Sequence, residues 1–130
     1  MTRGIDNRFE HSELTHQIIG LCFEVFNQIG SRKREKLYQK ALAIEFDNNK
    51  LKYKIEVPWK IAYKGKLIGR RRFDFVVEDK VLVELKAGSP PQRSEYEQVH
   101  EYLKLSGLKI GLLVNFTTQD VKIKRIANVY

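Results

Sequence analysis

Apolar residues recur at helical spacing along the first third of the chain. Leu14, Ile18, Leu21, Cys22, Val25, Phe26 and Ile29 form one stripe. The spacing predicts a helix over 13–29, with Ser12 as its N-cap and Gly30 as its stop. A basic connection, Ser31-Arg32-Lys33-Arg34, leads to a second helix over 35–48, with Leu37, Ala41 and Ile44 on one side and Asn48-Asn49 as its stop. The period then changes to two. Tyr53, Ile55, Val57, Trp59 and Ile61 alternate with Lys54, Glu56, Pro58 and Lys60, which predicts a strand with one buried face. Pro58 has no N–H to give a ladder, so that strand belongs at an edge or carries a bulge.

After a turn at Lys64-Gly65-Lys66 come two more strands, over 67–77 and 81–86. In the first, Phe73, Phe75 and Val77 share one face, and Arg70, Arg72 and Asp74 share the other. In the second, Val81, Val83 and Leu85 oppose Leu82, Glu84 and Lys86. A two-residue loop would set Phe75 against Glu84 and mix carboxylate with core. A three-residue loop, Glu78-Asp79-Lys80, sets Phe73 against Leu85, Phe75 against Val83 and Val77 against Val81. A one-residue slip turns every side chain to the other face, so the apolar pattern selects the three-residue loop. The same register sets Asp74 opposite Glu84, and Arg72 opposite Lys86.

A loop over 87–93 holds Gly88 and Pro90-Pro91. A third helix is expected from Ser94, where Ser94-x-x-Glu97 reads as a capping box, to Ser106, with Gly107 as its stop. The nearly continuous apolar run over 108–116 suits a central strand buried on both faces. A last strand is expected over 121–126. The expectation is therefore an α/β fold in the order α-α-β-β-β-α-β-β, as a single domain over 1–130 with a loosely ordered segment over 1–11.

Charge and cysteine count narrow the function. Twenty-four Lys and Arg against sixteen Asp and Glu leave a formal net charge of +8 in 130 residues, which favours a polyanionic partner. The bland alternative is a generally basic surface. Cys22 is alone, so internal disulfides and cysteine zinc clusters are excluded, and a reducing cytoplasm fits. No apolar run approaches the roughly 20 residues of a membrane span, and the N-terminus lacks the apolar segment of a signal peptide. His11, His16 and His100 have no ligand spacing, and no glycine-rich phosphate loop is present.

Two carboxylates facing each other across a hairpin repel. A divalent cation would offset that, and Asp and Glu oxygens suit Mg²⁺. Lys86, on the face of Glu84, would orient or help deprotonate a water, or neutralise charge developing on phosphorus. The competing reading of Asp74, Glu84, Lys86 and Arg72 is a solvated surface ion-pair cluster.

Asp74 followed by Glu84-Leu85-Lys86 resembles the core motif of the PD-(D/E)XK nuclease superfamily. More closely, the chain resembles the small stand-alone GxxExxY proteins, from about Leu14 to Ile126. The matching residues include Glu24-Val25, Ile29-Gly30, Glu35-x-x-Tyr38-x-x-Ala41-Leu42, Val57-Pro58, Val83-Glu84-Leu85-Lys86-Ala87, Gln98, Tyr102-Leu103-Lys104 and Asn115-Phe116. The resemblance implies a restriction-endonuclease-like core, a mixed sheet flanked by helices. It implies a metal-dependent nuclease acting on DNA, with Mg²⁺ as cofactor and Mn²⁺ as a substitute. Asp74, Glu84 and Glu35 would be metal ligands, with the Leu85 carbonyl as another, and Lys86 the catalytic lysine. Gln98 and Tyr102 match a Q-x-x-x-Y motif and would touch a phosphate or base, as would Tyr38. Core packing with a hydroxyl at the rim competes for Tyr38 and Tyr102. For Glu35 the competitor is an exposed helix-start carboxylate favoured by the macrodipole. The chain departs from the pattern at three places. Phe73 replaces the proline, Arg32 the opening glycine and Phe26 a common histidine.

Lys33 and Arg34 before Glu35, Arg70 and Arg72 on the Asp74 face, and Arg93 before the Gln98 helix would form a phosphate-positioning rim. Arg71 is expected to point the other way. Three readings stand: a nuclease, a nuclease-fold module that binds nucleic acid or protein with little activity, and a basic interaction protein without metal. The Pro58 strand offers an edge for a homodimer. DNA or RNA, single or double strand, and specificity are not legible.

Overall fold

The computed structural model describes residues 11–128. The N-terminal segment expected to be loose lies, but for His11, outside them. The elements are α1 (Ser12–Ile29), α2 (Glu35–Asn48), β1 (Tyr53–Tyr63), β2 (Lys66–Val77), β3 (Val81–Ala87), α3 (Arg93–Ser106), β4 (Ile110–Phe116) and β5 (Val121–Ala127). They follow the order that the sequence periods predict. The strands form one sheet in the order β1-β2-β3-β4-β5. The pairing is antiparallel except for β3 and β4, which run parallel on either side of α3. A parallel pair needs such a crossover, whereas the hairpins need only short turns. β1 is an edge strand, where Pro58 removes no ladder hydrogen bond on the sheet's outer side.

Helices cover both faces. α1 and α2 pack on one, through Ile18, Cys22, Val25, Tyr38, Leu42 and Phe46 against Phe75, Val83, Leu85, Leu112, Val114 and Phe116. α3 packs on the other, through Val99 and Leu103 against Phe73, Val76, Leu82 and Leu113. Each such side chain contributes about 1.5–3 kcal/mol when fully buried. β4 is buried at every residue, as its unbroken apolar run requires. Cys22 is inert core, its thiol pushed up to about 12 by burial. Among the described residues, no helix is long and apolar enough to cross a membrane.

Three details differ from the pattern. α1 is preceded by His11 at φ 55°, with Ser12 as its first turn rather than its cap. α2 buries Tyr38, Gln39, Leu42 and Phe46, while Leu37 and Ile44 are exposed. The bulkier stripe wins because Tyr38 lies flat on Phe116 at 4.0 Å and Phe46 meets Phe75 edge-on at 5.0 Å. α3 begins at Arg93, and its capping box is Gln92 with Glu95, not Ser94 with Glu97. Pro90-Pro91 already holds the chain extended, so the helix starts as soon as Gln92 can cap it.

α3 also depends on Gly111. A Cβ at that position would lie 2.9 Å from Val99 Cγ1, so only glycine lets the helix sit this close to β4. Gly111→Ala is expected to cost about 1–3 kcal/mol of stability, as overpacking does. In a double-mutant cycle with Val99→Ala, measured by urea denaturation, the two losses should be less than additive. Additive losses would mean that the two positions do not touch.

Candidate active site

The site arises where the sheet divides. β2 and β3 pair through Val77/Val81, Val76/Leu82 and Phe75/Val83, as the three-residue loop predicts. Glu78 and Asp79 both take φ 55° in that loop, and the Lys80 N–H donates to the Val77 carbonyl at 2.9 Å. Beyond Phe75 the ladder stops. β2 stays paired with β1 out to Lys66, and β3 stays paired with β4 out to Ala87. Two ribbons therefore part, with Asp74 and Glu84 in the angle between them. The expected pairs Phe73/Leu85 and Arg72/Lys86 do not form, and Asp74 and Glu84 meet by side chain rather than as ladder partners.

The alternation along β2 also reverses here. Phe75 and Val77 face α1 and α2, but Phe73 lies with Val76 under α3. On the neighbouring strand the pairing skips Glu56, at φ 52°, opposite Asp74. A left-handed residue within a strand costs of order 1–3 kcal/mol and marks a local constraint.

The carboxylates replace the missing ladder. Glu84 Oε1 accepts the Asp74 N–H at 3.0 Å, and Asp74 Oδ2 accepts the Leu85 N–H at 2.8 Å. Two further groups complete the set. Gln39 of α2 donates to Asp74 Oδ1 at 2.9 Å, and Arg71 donates to Glu84 Oε2 at 2.7 Å. The Arg71 guanidinium lies over the Phe73 ring, 4.9 Å from its centroid. Gln39 Oε1 and Arg71 Nε are buried and have no hydrogen-bond partner among the described residues.

Burial dominates the electrostatics. Loss of water raises the Asp74 carboxyl, and hydrogen bonds from Glu84 and Leu85 oppose it. Loss of water raises Glu84 further, to about 9, with the Asp74 charge adding to the rise and Arg71 opposing. One proton shared between two adjacent carboxyls is the usual result of such crowding. Around them opens a cleft of about 240 Å³, lined by Glu35, Gln39, Arg72, Asp74, Glu84 and Leu85 among others. Glu35, at the start of α2, is raised by partial loss of water against the cleft wall, with Lys86 opposing.

Lys86 stands on the α3 side of this group. Its Nζ lies 3.1 Å from Glu95, whose other oxygen accepts the Gln92 N–H at 2.8 Å. One carboxylate thus caps α3 and holds the lysine. Asn115 Nδ2 donates to the carbonyls of Lys86, Gly88 and Ser89, tying down the loop that follows.

The remaining expected residues are spread around this centre. Arg72 lines the cleft, and Lys33, Arg34, Arg70 and Arg93 are exposed. Gln98 is half-buried on α3, and its Oε1 is buried without a hydrogen-bond partner among the described residues. Tyr102 packs on Phe73 at 4.9 Å and near Trp59 at 6.1 Å. Tyr38 is fully buried, so it makes no surface contact. Its hydroxyl donates to the Gly30 carbonyl at 2.8 Å and accepts from the Lys33 N–H, fastening the loop before Glu35. Arg32 in that loop takes φ 64°, a conformation that glycine adopts without cost.

Three residues of the site, Arg71, Gln39 and Glu95, do not stand out in the sequence. Alternation sends Arg71 away from the acids, and the reversal at Asp74 brings it round. Gln39 carries no signal beyond its place after Tyr38. Glu95 has one, the second capping box Gln92-x-x-Glu95.

Two converging carboxylates stand in a polar cleft, both raised by burial, with the Asp74 charge raising Glu84 further and Arg71 opposing at both. The unpartnered Gln39 oxygen beside them adds a neutral oxygen donor. This all-oxygen set fits a hard divalent cation. Asp74 and Glu84 supply the pair. Among the described residues, no three His, Cys, Asp or Glu side chains draw together around one point, so Glu35 stands off as a wall of the cleft.

The family model described as PD-(D/E)XK nuclease superfamily matches residues 12–126. Among solved structures, the chain is similar to that titled "Crystal structure of SSO0001", at 21% identity and a TM-score of 0.54. The match covers 93% of this chain and 60% of that one, so this chain spans under two thirds of its length, and the likeness is one of fold. No curated protein matches the chain.

The raised Glu84 gives a signed pH dependence. Its carboxyl titrates near 4.5 when unfolded and near 9 when folded. The folded state then binds the extra proton between those values. Stability from this group is full below about 4.5 and is lost as pH rises towards 9. Without divalent cation, Glu84→Gln should therefore melt higher than wild type at pH 8, with the gain shrinking towards pH 5. The rise should exceed a few degrees, because pH 8 lies several units above the unfolded value, each unit is about 1.4 kcal/mol, and about 1 kcal/mol moves such a midpoint by roughly 4 °C. An equal difference at both pH values would mean that Glu84 is not held protonated.

Proposed function

Since the chain belongs to the PD-(D/E)XK nuclease superfamily, we propose that it is a Mg²⁺-dependent deoxyribonuclease centred on Asp74, Glu84 and Lys86. The observation that carries this reading is the pair of adjacent carboxylates, Glu84 buried and Asp74 half-buried, at the fork of the sheet. Loss of water raises both, the Asp74 charge raises Glu84 further, and an ammonium stands on the next residue but one.

Asp74 and Glu84 would hold the cation, with the Leu85 carbonyl beside them. A bound divalent cation polarises a phosphoryl oxygen and acidifies a water. The protein's own groups do the rest. The Leu85 and Asp74 N–H groups fix the two carboxylates from the backbone, so the donors are preorganised. Gln39 fixes Asp74 from the helix side. Lys86 has three N–H donors and gives one to Glu95, leaving others for a water or a phosphate oxygen. Glu35, on the cleft wall, is suited to orient a water, and Arg72 to meet a phosphate. Arg34, Lys33, Arg70 and Arg93 supply exposed charge for the flanking backbone. Gln98, near Glu95 on α3, fits a further phosphate or base contact. The resemblance to the GxxExxY proteins, the DNA substrate and the choice of Mg²⁺ over other divalent cations belong to this proposal. So does a cytoplasmic location, which the single, buried cysteine supports.

Labelled single- and double-stranded DNA incubated with Mg²⁺, Mn²⁺ or EDTA tests it. Wild type should cut with either metal and not with EDTA. Lys86→Ala should cut at least about 100-fold more slowly, as loss of one transition-state donor does. DNA binding without cutting in both metals would instead favour an inactive nuclease-fold module.

A further inference from the structure

The β1–β2 ribbon runs on past the fork as a two-stranded arm, paired out to Tyr63/Lys66. Its β1 side beyond Glu56 is seven residues, or roughly 20 Å at about 3.3 Å each. Residues 57–73 contain six Lys or Arg and no Asp or Glu. The arm's base, at Val57 and Trp59, packs on the α3 side; beyond that a two-stranded ribbon alone is marginal in water, and this one adds a repulsion. Lys60 is directly paired with Arg70, and the next pair on that face holds Arg72 beside Pro58. Like charges so opposed destabilise a ribbon by a few tenths of a kcal/mol or more. Near its end, Tyr63, Leu67 and Ile68 are exposed. None of the arm's cations except Arg71 has an ion-pair partner among the described residues.

We propose that this arm is a groove-binding ribbon for double-stranded DNA, which delivers the duplex to the cleft at its base. The inference rests on the nuclease reading for its substrate and adds which form of nucleic acid is held, and by what. Two strands about 4.8 Å apart with their side chains fit the major groove of B-form DNA, about 12 Å wide. Lys60, Arg70 and Arg72 form one phosphate rail. Arg72, at its inner end, also lines the cleft beside Asp74. Lys64 and Lys66 extend the charge to the tip. The exposed apolar residues there suit sugar or thymine-methyl contacts. A second copy of the chain is a poorer occupant, because two such arms would set six positive charges against six. Duplex RNA is poorer too, because its major groove is too narrow to enter.

The test is binding by the full chain in EDTA, across a range of salt, to a labelled 20-base-pair DNA duplex, its single strand and the matching RNA duplex. The variant Lys60→Gln/Lys64→Gln/Lys66→Gln/Arg70→Gln is compared with Lys40→Gln/Lys50→Gln/Lys52→Gln/Lys80→Gln. The arm variant should lose at least about tenfold in duplex DNA affinity. Its slope of log K against log salt should flatten by roughly 2 to 4, near 0.9 for each phosphate left without its cation. The control variant should keep both values. Lys64→Glu/Lys66→Glu, changed only at the exposed tip, should also weaken binding, and circular dichroism confirms folding of each. An arm variant that binds duplex DNA with the wild-type slope overturns the proposal. Wild type that binds no duplex, or binds duplex RNA equally, also overturns it. So does loss of a homodimer, seen by sedimentation, with DNA binding intact. Cleavage in Mg²⁺ is read separately. Wild type that binds through the arm but never cuts sinks the nuclease and leaves the arm. Cutting with an arm variant that binds normally does the reverse.

Discussion

Everything at the site depends on two carboxylates that stand in for a backbone ladder. Where β2 and β3 part, each strand would leave inner N–H groups without partners, and a buried unpaired donor costs about 1–3 kcal/mol. Glu84 accepts one from Asp74, and Asp74 accepts one from Leu85. The sheet can fork only because acidic side chains fill the gap. Those same bonds fix the carboxylates in a place where their charges repel. Structural and chemical demands therefore fall on the same atoms. Loss of either residue would remove a cation donor and a strand connection together.

The surrounding residues compensate for the crowding. Arg71 brings the nearest positive charge, held flat on Phe73. Gln39 adds a donor without a charge. Lys86 is kept out of this inner group by Glu95, so the lysine does not collapse onto Glu84 and quench it. The cap of α3 thereby carries two tasks. Arg71 is the cation paired directly with Glu84, while Lys36 and Arg72 stand on the cleft wall, and two adjacent oxygen donors suit a divalent ion.

Much of this architecture is legible in the sequence. Element order, the three-residue hairpin loop, the edge position of β1 and the buried β4 follow from period, turn residues and Pro58. The hairpin register, fixed by Phe75, Val77, Val81 and Val83, brings Asp74 and Glu84 close, although not as the ladder pair expected, and the roles of Asp74, Glu84 and Lys86 come from the family resemblance. Legibility ends where alternation ends. Strict period two assigns Phe73 to the face of Phe75 and sends Arg71 away from the acids. The reversal at Asp74 is a backbone event, shared with the left-handed Glu56, and no apolar pattern encodes it. The buried stripe of α2 is hidden for a different reason. Leu37 and Ile44 are as apolar as Leu42, and only the ring of Phe116 opposite Tyr38 decides between the faces. Tyr38 then serves the site at one remove, by fastening the loop that carries Arg32 to Arg34.

The fork also explains why the chain's charge is distributed as it is. Had the strands stayed paired, residues 70–72 would lie on a strand inside the sheet, flanked by β1 and β3. Once the strands part, that stretch belongs to a ribbon with solvent on its outer face. Basic residues can then accumulate beside the acids without entering the core. Arg71 is the one turned inward, and it is the one paired with Glu84. The same backbone divergence thus gathers negative charge at its apex and positive charge along its free arm, within a few residues of sequence. On the proposed reading, such a gradient would draw a polyanion along the arm and bring a phosphate beside the carboxylate pair, where a divalent cation would let the two negative groups approach.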